Sequence, residues 1–176
     1  MRRWDGRKRA QPCRAAMLAA ILLGGGPVAA GANLPAGARL AQPAERMAVG
    51  QAIRGAALKL ASAECEGLLD EFADAQGRPL RAALEAHGMD AGTFLAQVFF
   101  YDAPPPACEG LTLAGSHLVG SRVIRVCGRR FARAWAESSS HAEAVIIHEM
   151  LHALGLGENP PSSAYITERV IARCGR

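Results

Sequence analysis

The 176-residue chain lacks any apolar run long enough to cross a bilayer. Its best candidate, Ala15 to Leu23, is less than half of the about 20 residues a spanning helix needs, and the glycines of LLGGGP interrupt it further. Stable membrane insertion is therefore not expected. Also missing is a real surplus of positive charge. Of the 20 Lys and Arg, six lie in the first 30 residues, against one of the 16 Asp and Glu, which leaves fourteen cations facing fifteen anions in the remainder. That near-neutrality removes the electrostatic case for a nucleic-acid partner. The chain has no internal repeat and no low-complexity domain, and Cys13 precedes the apolar run rather than following it as a lipid-attachment cysteine would.

What is present begins with a leader. MRRWDGRKRAQPCR is basic, AAMLAAILL is apolar, and small residues follow, the pattern of a secretory signal with cleavage expected after Ala30 or Ala32. Residues 1–30 are thus set apart from the fold, and a secreted or periplasmic location is expected. Residues 31–44, GANLPAGARLAQPA, are aperiodic and rich in Gly, Ala and Pro, so a flexible mature N-terminus is expected there. Residues 45–176 are then the folded domain, large enough for one modest core. Cys65, Cys108, Cys127 and Cys174 lie beyond the leader, and four cysteines in an exported chain read first as two disulfides. Three pairings are possible. Cys108 with Cys127, closing a hairpin-like excursion, and Cys65 with Cys174, tying an early helix to the C-terminus, are favoured. Thiolate ligation of a metal is the rival use, which an oxidising compartment opposes.

From Glu45 to Ala75, Leu58, Ala61, Cys65, Leu68, Leu69 and Phe72 recur at three- and four-residue steps while acidic residues face elsewhere. This predicts a helix with one buried stripe, with another helix before it as the alternative. A second helix is expected over Pro79 to His87, stopping at Gly88. TFLAQVFFYD, Thr93 to Asp102, reads as a strand ended by the prolines that follow, SRVIRVCG as another, and LTLAG as an irregular edge strand. Ser138 to Leu154 is expected to be helical, with Ser140 and Glu143 spaced as a capping box and Gly155 ending it. A last helix is expected from about Ala164 to Arg173. Helices, then a small sheet, then a long helix indicate an α+β fold.

That long helix carries VIIHEMLHALGLGENPP, Val145 to Pro161. Residues four apart on a helix project from one face, so His148 and His152 can offer two imidazole nitrogens to a single ion. Glu149 lies about 100° further round, beside the open position of such an ion. A catalytic zinc with three protein ligands needs a neighbouring carboxylate of this kind as general base. Incidental placement of two histidines around a glutamate is the plain alternative.

His148, Glu149, His152, Gly155 and Glu158 read H-E-x-x-H-x-x-G-x-x-E. The pattern resembles the metzincin branch of the zincin metallopeptidases, with glutamate where that branch usually has a third histidine. The likeness spans eleven residues, and no methionine follows Met150, so the family's methionine turn is absent. The resemblance implies a zincin fold, with a small twisted sheet packed on the active-site helix and an edge strand that pairs with an extended substrate. It also implies Zn2+ held by His148, His152 and Glu158, with Glu149 as base. Glycine at 155 can reverse the chain, and the following residues reach far enough to return a carboxylate to the ion. Glu168 on the last helix is the competing third ligand, in the manner of gluzincins. Tyr165 resembles the tyrosines that stabilise an oxyanion in some relatives, or else packs at the start of its helix. The implied function is hydrolysis of a peptide or protein substrate; the alternative is a non-catalytic zincin-like binding module.

Three other histidines and a group of arginines are set aside. His141 lies seven residues before His148, about 10 Å along a helix axis, too far to share the ion. His87 and His117 fall in unplaced segments. Arg122, Arg125, Arg129, Arg130 and Arg133 fit an anionic-polymer patch less well than solvated surface or intramolecular pairing.

Overall fold

A computed structural model of the protein describes residues 37–109, 113–116 and 118–175. The expected leader lies outside the described residues, as do residues 31–36, residues 110–112 with the first two of the expected edge strand, and His117. No described helix is long and apolar enough to cross a membrane.

In chain order the described elements are β1 (Ala38–Arg39), α1 (Pro43–Leu60), α2 (Ala63–Glu66), α3 (Leu68–Glu71), α4 (Leu80–His87), α5 (Ala91–Leu95), β2 (Phe99–Asp102), a 3₁₀ turn at Pro105–Cys108, β3 (Ala114–Gly115), β4 (Val123–Val126), α6 (Gly128–Glu137), α7 (Ser139–Ala153) and α8 (Ser163–Cys174). The four strands form one mixed sheet in the order β1-β2-β4-β3. β1, β2 and β4 are parallel, and β3 runs antiparallel to β4 at the edge. Helices α1, α6 and α7 pack on one another. Val49 and Ile53 from α1, Phe131 from α6, and Ile146, Ile147 and Met150 from α7 join Phe100 and Ile124 of the sheet in one core. The mixed α and β content agrees with the expected class.

Four features differ from the sequence reading. First, the folded part starts before residue 45, because residues 38–44, expected to be flexible, supply β1 and the start of α1. Gly37 O accepts from Phe100 N at 2.7 Å, and a β-carbon at Gly37 would sit 2.2 Å from Val98 O, so only glycine allows the strand to approach. Asp102 Oδ2 then accepts from Ala41 N at 2.8 Å, and Leu40 is buried. These are contacts distant in sequence, which local composition does not announce.

Second, the helical stretch between Glu45 and Ala75, read as one helix or two, is a long helix, α1, and two short ones, with a break at Ser62. Its side chain accepts from Cys65 N and caps a new turn, α2, and Gly67 separates that turn from α3. The break changes the helical phase, so Cys65, Leu68, Leu69 and Phe72 are buried as expected while Leu58 is 79 % exposed. Third, Thr93 to Leu95 are helical, because Asp90 caps α5 through Thr93 N, and only Phe99 to Asp102 are strand. Fourth, α6 carries Arg129, Arg130 and Arg133 on a helix absent from the sequence reading, anchored by the buried ring of Phe131. Arg122 and Arg125 stack instead on the rings of Phe94 and Tyr101, which favours intramolecular pairing for those two.

Both favoured cysteine pairs are joined. Cys65–Cys174 has its α-carbons 4.7 Å apart and Cys108–Cys127 has them 5.5 Å apart, within the range a disulfide requires.

Candidate metal centre

The site is built on α7. Ser138, not Ser140, caps it, accepting from His141 N. Ser140 and Glu143 serve a different purpose. Lys59 Nζ donates to Ser140 Oγ at 2.8 Å and pairs with Glu143 at 3.1 Å, which ties α7 to the end of α1. The helix is apolar almost all round because α1, α6 and α8 pack against it. Its buried polar residues are therefore exceptional: His148, Glu149 and His152 are only 6 %, 5 % and 7 % exposed. Buried carboxylates and imidazoles persist where they are paired or hold a metal.

The two imidazoles face each other, with Nε2 to Nε2 at 3.0 Å. Two nitrogens bound to one tetrahedral zinc at about 2.0–2.1 Å lie roughly 3.3 Å apart, so the rings stand close to ligating geometry. Each is anchored through its other nitrogen. His152 Nδ1 donates to Leu156 O at 2.8 Å, and His148 Nδ1 meets Thr167 Oγ1 at 2.9 Å.

Beyond α7 the chain turns back. Gly155 N and Leu156 N donate to His152 O and Leu151 O, with Gly155 at φ +114°, a backbone that a β-carbon opposes. Leu156 is buried and bridges to Asp74, which fixes its carbonyl against His152. The reversal carries Glu158 to the histidines, and one ligand atom from each of His148, His152 and Glu158 lies within 4.8 Å of the others. These residues can hold a metal ion.

Electrostatics favour a cation. Burial, reinforced by the neighbouring His152, pushes the His148 imidazole down to about 4, which keeps it neutral and its lone pair available. Burial, and then the charge of Glu158, pushes the Glu149 carboxyl up to about 8. A Glu149 carboxyl that resists ionisation beside Glu158 and a neutral His148 is an arrangement whose charge a divalent ion would compensate. Glu149 Oε2 is buried with no hydrogen-bond partner. With that unpartnered oxygen beside the convergent ligand set, the chain's own residues fit a metal ion.

A cavity of about 280 Å³ opens over the group, lined by Ala114, Gly115 and Ser116 of the β3 edge, by Val119, Glu158 and Ser163, and by His148, Glu149 and His152. Gly120 N donates to His152 O at 2.8 Å and ties the β3–β4 connection to the end of α7. The competing ligand Glu168 is exposed on α8 and outside the ligand group. Tyr165 is half-exposed, packs edge-on against Phe72 at 6.3 Å and does not line the cavity. That contact is the packing expected at the start of its helix. His141 is exposed in the first turn of α7, and His87 lies against Phe94.

Sequence reasoning missed Thr167 and the Leu156 carbonyl. Neither carries a signal in the sequence, since a lone threonine on an amphipathic helix and a backbone oxygen are found only by folding the chain. No family model, no curated protein and no solved structure matches this chain.

Proposed function

We propose that this chain is an exported zinc-dependent peptidase of zincin type. One observation carries the reading: Glu149, buried and unpartnered at Oε2, stands beside the convergent His148, His152 and Glu158. Two histidines and a glutamate are an accepted donor set for catalytic zinc. When bound, zinc acts as a Lewis acid toward a carbonyl oxygen and lowers the pKa of water to about 7. His148 and His152, on one face of α7, and Glu158, beyond the Gly155 turn, would hold the ion. Glu149 Oε2 takes the proton of the attacking water and returns it to the departing amine.

A peptide substrate suits the wall of the cavity. β3 ends the sheet order and pairs on one side with β4, and Ala114, Gly115 and Ser116 border the cavity with little side-chain bulk. An extended peptide can add to such an edge through main-chain hydrogen bonds. The two disulfides suit an oxidising, exported setting.

The test uses metal analysis together with digestion of a broad peptide library. The purified protein is expected to carry about one zinc per chain, and Glu158→Ala to lose it where Glu168→Ala does not. Glu149→Gln is expected to keep the zinc and lose at least about 100-fold in turnover, the usual scale for a general base. Undiminished cleavage by that variant refutes the assignment of the base. Stoichiometric zinc with no cleavage by the parent assigns the chain to a non-catalytic binding module instead.

A further inference from the structure

We infer that Thr167 is a positioning residue of the metal centre, whose hydroxyl fixes the ring and the tautomer through which His148 reaches the ion. The inference rests on the metal-binding reading above and concerns a residue outside its motif. Both imidazoles must present an Nε2 lone pair to one ion, so both Nδ1 atoms must carry the proton. Leu156 O settles this for His152, since a carbonyl only accepts. For His148 the partner is Thr167 Oγ1 at 2.9 Å, a group that both donates and accepts. In the ligating tautomer the hydroxyl accepts from Nδ1 and leaves Nε2 directed at His152 Nε2 and the ligand group.

The placement of that hydroxyl is set by the rest of α8. Ile166 and Val170, on either side of Thr167, are fully buried and fix the rotation of the helix. Arg169 and Arg173 both bind Glu71 of α3, and Cys174 is bonded to Cys65 of α2. The helix is docked without help from Thr167. Its hydroxyl is thus available to the imidazole, and replacing it with an isosteric methyl leaves the docking contacts of α8 in place.

Metal is stripped from the parent and from Thr167→Val, Thr167→Ser and Thr167→Ala, and Zn2+ affinity is measured against a chromogenic chelator. Co2+ absorption serves as a second readout, and unfolding of the metal-free proteins controls for structure. Thr167→Val is expected to bind about 10–100-fold more weakly, the usual effect of losing an outer partner of a ligating histidine. Its Co2+ spectrum should be altered, and its metal-free form should still unfold cooperatively, at a midpoint lowered by no more than the loss of one hydrogen bond. Thr167→Ser keeps the hydroxyl and should restore parental affinity. Should Thr167→Val fold poorly, Thr167→Ala carries the same comparison. Parental affinity in the variants that lack the hydroxyl, or an equal loss in Thr167→Ser, overturns the inference while leaving the metal centre standing. A parent that takes up no ion overturns both.

Discussion

An unpaired acceptor in a protein interior costs about 1–3 kcal/mol, and Glu149 Oε2 is one such atom. Folding gains nothing from leaving it so, whereas a base that must accept a proton needs a lone pair not already engaged. Gly155 has the complementary role of shaping the backbone. At φ +114°, and with a β-carbon bound to meet Asp74 Cβ at 3.3 Å, any other residue is strained there. Gly155→Ala is expected to destabilise the fold by about 1–3 kcal/mol. It should also weaken metal affinity, because Glu158 reaches the histidines only through that turn. Denaturant unfolding and chelator competition on the same sample check the two effects together.

The helices divide into those whose local chemistry announces them and those set by distant contacts. α7 belongs to the first kind, with its cap as the test. Ser138→Ala should cost about 1 kcal/mol, while Ser140→Ala, which removes only the hydroxyl next to Lys59, should cost about 0.5 kcal/mol or less. Urea midpoints measured side by side will show whether the cap sits at 138. α7, the strand around Ile124 and both cysteine pairs were legible in the sequence, because helical spacing, a branched run and an even set of four cysteines each leave a local trace. The convergence of Glu158 with the histidines followed the spacing of its motif. β1 was not legible, since a two-residue parallel strand has no period and depends on a partner some sixty residues away. α6 was hidden because its two large apolar residues, Phe131 and Trp135, sit among arginines that read as surface. Leu58 was misplaced because Ser62 restarts the helix, a local competition between side chain and backbone that periodicity ignores. Thr167 shows the limit most plainly, as its importance comes from where α8 docks.

At the scale of the whole molecule, α8 is held to α2 and α3 by charge and by sulfur. Burial alone would raise the Glu71 carboxyl, but hydrogen bonds from Arg169 and Arg173 outweigh it and hold the group below the usual carboxylate range. A carboxyl depressed in the folded state stabilises the fold above its unfolded pKa, and that contribution is lost as pH falls through the lower, folded value. Glu71→Gln should therefore reduce stability near neutrality and converge with the parent in acid, which denaturation midpoints measured from pH 7 to pH 2 will show.

The Cys65–Cys174 bond joins residues 109 apart and Cys108–Cys127 joins residues 19 apart. Chain-entropy arguments assign about 4.7 kcal/mol to a loop of about 100 residues and about 3 kcal/mol to one of about 15. The shorter loop lies wholly inside the longer, and the exposed turn at Leu118 and Val119 lies inside both. A protease that severs the backbone at that turn thus releases no fragment. The two new ends stay shackled twice over, and the wound shows only on a gel run under reducing conditions.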